Sequence, residues 1–231
     1  MKEAIVLAGG FGSRLKELTK DIPKCMLLIN EKPFLFYIIT YLKNNGINRI
    51  ILSLGFKSEI VIDYTKQNNF GVEFIYIIED QPLGTGGALK LALSKSINKN
   101  TLIVNGDSLF TIDLKVFLNF HELKNSKFSI ALHRIEENDR FGIVEVDQND
   151  EIVSFKEKMK STDILINSGF YIISNKNLLD TYPETFSLEK DFFENKLKGV
   201  KLFAKEFDGK FIDIGIPNDF TFASEFVNKY Y

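Results

Sequence analysis

Apolar residues fall into short, evenly spaced runs over the first half of this chain and into a looser pattern over the second. Ala4–Ala8 is continuously apolar, the mark of a strand buried on both faces. Pro33 opens a helical pattern that runs through Tyr41 and Leu42, and Gly46 stands where a C-cap is expected. Arg49–Leu54 reads as a second strand, followed by a helix near Glu59–Lys66. Val72–Ile78 is a third strand, Thr85–Leu93 a helix and Thr101–Asn105 a fourth strand. Repeated β–α units of this length predict a mostly parallel sheet flanked by helices on both faces.

The second half alternates less regularly. Ser129–His133, Gly142–Val146 and Ile152–Phe155 read as strands, the last two joined in a hairpin at Asn149-Asp150. Strands at Phe170–Ile173, Lys201–Lys205 and Phe211–Ile214 follow, with helices around Asn177–Thr181 and Leu188–Lys196. Pro217 starts a closing helix towards Tyr231. No linker, repeat or low-complexity tract interrupts the pattern, so residues 1–231 are expected to form a single α/β domain.

Composition narrows the setting without deciding the chemistry. The 231 residues are 45% hydrophobic and 26% charged, as in an ordinary globular domain. No apolar run approaches the ~20 residues that span a bilayer. Met1-Lys2-Glu3 leads into a short strand and shows no signal-peptide pattern. Cys25 is the one cysteine, which excludes an internal disulfide and fits a reducing compartment. The expectation is a cytoplasmic protein with no membrane association. With a net charge of −2 and no Lys/Arg cluster, nucleic acid is not expected as a partner. Anionic small molecules would then need local cations and a metal ion.

Such cations lie just after the first strand. Leu7-Ala8-Gly9-Gly10-Phe11-Gly12-Ser13-Arg14-Leu15 is followed by Pro23-Lys24. Glycines at a strand end let backbone N–H groups close on a polyphosphate, because no Cβ blocks the approach. Arg14 and Lys24 can neutralise the charge that the loop admits. Neither the dinucleotide fingerprint G-x-G-x-x-G nor the Walker string G-x-x-x-x-G-K-[ST] is present. A further glycine-rich string, Pro82-Leu83-Gly84-Thr85-Gly86-Gly87-Ala88, permits close packing against a base or ribose, with Thr85 supplying a hydroxyl. Its inner glycines each cost a helix ~1 kcal/mol, which a plain helix start does not explain. Glu79 ends the third strand nearby and can accept both N1–H and the N2 amino group of guanine, as Asp80 or Gln81 could in its place.

Asp107, in Asn105-Gly106-Asp107-Ser108, follows the fourth strand, where ligands gather in parallel sheets. A carboxylate there is placed to hold Mg²⁺ against phosphate oxygens, although Asn-Gly-Asp also makes a good turn. His121 and His133 have no metal-ligand spacing.

Together these strings resemble the sugar-1-phosphate nucleotidyltransferases, whose signature runs L-A-G-G-x-G-[ST]-R-L…P-K. The resemblance extends from Leu7 to Asp219. Within the family the chain is similar to the guanylyltransferases acting on D-glycero-D-manno-heptose 1-phosphate. The form Pro82–Ala88 matches the branch using mannose-type phosphates and guanine nucleotides. The resemblance implies a Rossmann-like, GT-A-like fold with a mostly parallel mixed sheet. It implies a nucleotide-binding half over about residues 1–125 and a sugar-phosphate-binding half over about 126–231.

The implied reaction joins GTP and a sugar 1-phosphate into a GDP-sugar for surface polysaccharide, releasing pyrophosphate, with Mg²⁺ as cofactor. Arg14, Lys24, Asp107 and Lys158 are the expected catalytic residues. Leu7, Ala8, Gly9, Gly10, Gly12, Ser13, Glu79, Pro82, Gly84, Thr85 and Gly106 are expected around the nucleotide. Phe211-Ile212-Asp213-Ile214-Gly215-Ile216-Pro217-Asn218-Asp219 matches a late segment whose first Asp, here Asp213, is the second metal ligand beside Asp107. On the acceptor side, Phe155-Lys156-Glu157-Lys158 resembles F-x-E-K, Asn167-Ser168-Gly169 matches N-[AS]-G, and Gly142 matches a sugar-side glycine. Met159, Cys25 and Glu17 stand where the family commonly has proline, departures that remove no charged group. Aromatic residues near Phe226 and Tyr230 permit a homodimer.

Overall fold

The computed structural model describes residues 1–10, 15, 18–138, 141–156, 161–174, 176–195 and 200–230. Its centre is a parallel block of β1 (Glu3–Leu7), β4 (Arg49–Leu54), β5 (Glu73–Ile78) and β6 (Thr101–Asn105). β1 lies between β4 and β6, and β5 flanks β4 on the far side. Three helices make the crossovers: α1 (Phe34–Asn44), α2 (Ser58–Gln67) and α3 (Gly84–Leu93). The chain moves outward from β1 through β4 to β5, then returns to the opposite side of β1 as β6. That reversal creates a switch point between β1 and β6, and the crevice at their carboxyl ends is where such sheets bind ligands.

The continuous apolar character of the strands follows from burial on both faces. Ala4, Val6, Ile50, Leu52, Leu102 and Val104 join the core under α1, together with Phe110 and Phe117. Ile5, Ile51 and Ile103 point the other way and join Leu89, Tyr171, Phe192 and Phe193. Alternation along each strand thus feeds two separate cores.

The sheet continues in antiparallel sense through β11 (Ser161–Ile173), which pairs with β6, with β8 (Phe128–Asn138) and with β9 (Ile143–Val146). β10 (Ile152–Lys156) closes that edge as the expected hairpin with β9, and β12 (Phe203–Glu206) adds to β8 in parallel. Among the described residues this makes a nine-stranded mixed sheet. Separate two-stranded ribbons pair β2 (Leu28–Ile29) with β3 (Lys32–Pro33) and β7 (Ser108–Phe110) with β13 (Phe211–Asp213), and α5 (Pro217–Tyr230) follows the second.

Several elements depart from the sequence reading. A further helix, α4 (Leu114–Leu123), is capped by Asp113, whose carboxylate accepts from Lys115 N at 2.8 Å and Val116 N at 3.2 Å. β8 and β11 are far longer than expected. The segment at Asn177–Thr181 is a short 3₁₀ turn, Lys176–Leu179, and Leu188–Glu194 winds as a π-helix.

Candidate active site

At the switch point a crevice of about 460 Å³ opens between the ends of β1 and β6. Its floor exists because Gly106 has no side chain. A Cβ there would lie 2.9 Å from both the Leu7 carbonyl oxygen and the Ala8 Cβ. Gly9 is constrained by its neighbour, since a Cβ would meet Glu79 Oε1 at 2.5 Å. Glu79 follows β5 and leans over the β1 end, where the Leu83 N–H donates to its Oε2 at 3.0 Å. Burial pushes the Glu79 carboxyl above its usual range, against the opposing pull of that N–H.

At the other end of the crevice stands a charged cluster. Pro23 enters a 3₁₀ turn over Lys24–Met26 in extended conformation, which sends the Lys24 side chain inward. Lys24 Nζ donates to Asp107 Oδ2 at 2.6 Å. Burial alone would raise the Asp107 carboxyl. The Lys24 ammonium and the Ser108 hydroxyl outweigh it and hold Asp107 below the usual carboxylate range.

The ribbon of β7 and β13 brings in the second carboxylate, because its register sets Asp213 opposite Ser108. The Ile214 N–H donates to the Asp107 carbonyl at 2.9 Å and fixes the turn alongside. Ser108 Oγ lies 3.2 Å from Asp107 Oδ1 and 3.1 Å from Asp213 Oδ2, so one hydroxyl spans both acids. The Gly215 N–H donates to Asp213 Oδ1 at 2.8 Å. Two carboxylates far apart in the chain therefore meet beside the crevice, which Asp107 lines.

The profile of the family described as Nucleotidyl transferase matches residues 3–230. The chain belongs to this family. A D-glycero-alpha-D-manno-heptose 1-phosphate guanylyltransferase from Campylobacter jejuni is 42% identical over 220 residues, covering 94% of this chain and 96% of the relative. An Aneurinibacillus thermoaerophilus protein of the same name is 39% identical over 230 residues, covering 99% of each. The crystal structure of HddC from Yersinia pseudotuberculosis complexed with GMP-PN superposes with a TM-score of 0.88 at 37% identity. That match covers 98% of this chain and 100% of the other.

In this nucleotidyl transferase, Leu7, Ala8, Gly9, Gly10, Glu79, Pro82, Gly84, Thr85 and Gly106 all line the crevice. Gly12, Ser13 and Arg14 lie outside the described residues, as do Glu157 and Lys158. The glycine string of α3 works differently from its sequence reading. Cβ atoms at Gly84 and Gly87 would strike the carbonyl oxygens of Phe186 and Glu184 at 2.5 and 2.1 Å, and one at Gly86 would enter the Phe186 ring. These glycines admit the 184–186 segment, and Gly84 also lines the crevice. Thr85 faces the crevice, but its hydroxyl donates to Glu189 Oε2 at 2.6 Å and accepts from Leu188 N–H at 2.9 Å. It pins α3 to the π-helical turn.

The acceptor-side residues that the structure describes converge. The Asn167 N–H donates to the Gly142 carbonyl at 2.8 Å, and the Gly169 N–H donates to Asn167 Oδ1 at 3.0 Å. The built Cβ of Gly142 falls 2.7 Å from the Phe155 ring, so Phe155 packs directly beneath it. Sequence reasoning missed Ser108, Asn105, Tyr171 and Glu189. Ser108 sits beside Asp107, and adjacency was its one available signal. The other three become visible only through contacts between distant segments. Cys25 is buried, and burial pushes its thiol up to about 12, far from the thiolate a nucleophile needs.

Proposed function

We propose that the chain transfers a guanylyl group from GTP to D-glycero-D-manno-heptose 1-phosphate, giving the GDP-sugar and pyrophosphate. The convergence of Lys24, Asp107 and Asp213 at the carboxyl end of β6, beside a crevice with Glu79 at its far end, carries this reading. Relatives named for that heptose phosphate and aligned over nearly the full length of both chains support the choice of acceptor.

A phosphate oxygen of the sugar 1-phosphate attacks the α-phosphorus of GTP. The bond from that phosphorus to the bridging oxygen breaks, and pyrophosphate leaves with the electron pair. The nucleophile is already an anion, so no general base is needed. The protein's task is to align two anions and offset their repulsion. Lys24 faces the triphosphate, and the family resemblance assigns Arg14 the same task. Glu79 keeps Oε1 available to accept from the N1–H and N2 amino groups of guanine. Uracil and thymine offer a single N–H flanked by acceptors, which a carboxylate repels. Asn167 and the Gly169 backbone hold acceptor hydroxyls, and Lys158 holds the acceptor phosphate.

The donor set fits Mg²⁺, which prefers one or two carboxylates completed by phosphate oxygens and water. One serine hydroxyl within hydrogen-bond reach of both Asp107 and Asp213 supports an ion shared between the two acids. These residues would hold it, and it would supply charge neutralisation between the two anionic substrates. No cluster of three His, Cys, Asp or Glu that could hold a metal occurs among the described residues.

The deciding experiment measures pyrophosphate release with Mg²⁺, crossing GTP, UTP, CTP, dTTP and ATP with sugar 1-phosphates that include the manno-heptose and mannose. Release confined to GTP with the heptose phosphate is expected. Preference for mannose 1-phosphate would reassign the acceptor, and preference for another nucleotide would remove the role given to Glu79. No release from any pair, with GTP still bound, would make the chain a nucleotide sensor.

A further inference from the structure

We infer that Tyr171 is a positioning residue whose hydroxyl fixes the acceptor-binding amide of Asn167. The inference rests on the acceptor reading above.

The contact is built by a bulge. Asn167 and Tyr171 both belong to β11, and in a regular strand residues four apart stand about 13 Å from one another. Here Asn167 pairs with Leu132 and Tyr171 with Ile130, so the intervening residues on β11 outnumber those on β8. The excess loops out through Gly169, at a φ of +77°. The result brings Asn167 Nδ2 to 2.8 Å from the Tyr171 hydroxyl. A bulge that re-aims a side chain beside a ligand site is a recognised use of that distortion.

Both ends of the Asn167 amide are then committed. Nδ2 donates to Tyr171, and Oδ1 accepts from the Gly169 N–H. Its orientation is fixed, leaving one N–H and one lone pair for a ligand. Asn105, on the crevice side, stands close to the same segment. Its Nδ2 lies 2.6 Å from where a Cβ on Gly169 would be. The hydrogen bond of the buried hydroxyl thus orients Asn167, while Gly169 keeps the Asn105 amide close by.

Packing alone does not explain a tyrosine here. The ring is fully buried between Phe128, at 5.6 Å, and Phe193, at 5.7 Å, and Phe193 packs in turn on Phe155 at 5.0 Å. A phenylalanine would satisfy all of those contacts. A buried hydroxyl is costly unless bonded, and the Asn167 amide is its partner.

The test is Tyr171→Phe, with Asn167→Ala and the double variant alongside, in the pyrophosphate-release assay. Tyr171→Phe is expected to raise KM for the heptose phosphate about tenfold, while kcat and KM for GTP stay within about twofold. The double variant should bind acceptor no worse than Asn167→Ala alone, because Tyr171 acts through Asn167. An unchanged acceptor KM in Tyr171→Phe overturns the inference, as does a parallel loss of both substrates. If Asn167→Ala leaves acceptor KM unchanged while the wild type turns over, the acceptor reading fails and the inference with it. Should Tyr171→Phe not fold, the wild-type Asn167 side-chain amide still reports by ¹⁵N NMR. Slow hydrogen exchange supports the inference, and free exchange overturns it.

Discussion

Lys24 and Asp107 are separated by 83 positions, yet their side chains meet at 2.6 Å. The pair is incompletely shielded, with the Asp107 side chain 35% exposed, so its value lies in function more than in stability. Asp107→Asn keeps the shape of the residue and removes the charge that would face a cation between two phosphates. Turnover should fall by at least about 10²-fold, with the thermal midpoint nearly unchanged. Lys24→Ala should do likewise, because the crevice then loses an ammonium aimed at the triphosphate. Steady-state kinetics beside a melting curve check both, and near-normal turnover in either variant sinks the assignment. At this scale the sequence was informative wherever chemistry and backbone shape coincide in one string, as at Gly106-Asp107 and Pro23-Lys24. It was silent on Ser108 as a bridge, because that role exists only after β13 sets Asp213 opposite it.

Among the elements, α3 has two tasks. One side carries Gly84, Thr85 and Ala88 into the nucleotide crevice, and the other receives the 184–186 segment. Gly87→Ala would drive a methyl against the Glu184 carbonyl oxygen, a rigid backbone atom that yields only if the segment shifts. Overpacking of this kind costs about 1–3 kcal/mol. Denaturant unfolding should show that loss, and GTP affinity should weaken because Thr85 and Leu188 move apart. Unchanged stability and affinity would mean the segment is free to retreat. The glycines were legible as anomalies in a helix, but what they accommodate was not, since the partner lies about a hundred residues away. The parallel strands were readable because burial on both faces leaves an unbroken apolar run. The run Leu114–Leu123 carries a helical period, with Leu114, Phe117, Phe120 and His121 on its buried face and Asp113 as its cap, and the sequence reading passed over it. Polar residues such as Thr162 and Asn167 hid the length of β11, which is set by pairing with β8.

Across the whole molecule, the packing of α4 on the sheet buries a titratable group, His121. It projects from α4 and is 1% exposed. Its Nδ1 is 2.8 Å from Ser129 Oγ on β8, and Nε2 has no hydrogen-bond partner among the described residues. Burial first, and the charge of Lys99 second, depress its ionisation from the ordinary 6.5 to about 4. The unfolded chain therefore takes up a proton that the folded chain refuses between those values. Stability from this group is fully present above pH 6.5 and is lost as pH falls towards 4. Between pH 7 and pH 5 the loss amounts to about 2 kcal/mol. Carboxylates titrate over part of the same range, so the informative quantity is a difference between proteins. Urea unfolding of the wild type and of His121→Asn at both pH values isolates it. The wild type should lose about 2 kcal/mol more than the variant on acidification. Equal losses would mean that His121 takes up its proton within the folded state, with α4 opening to admit water.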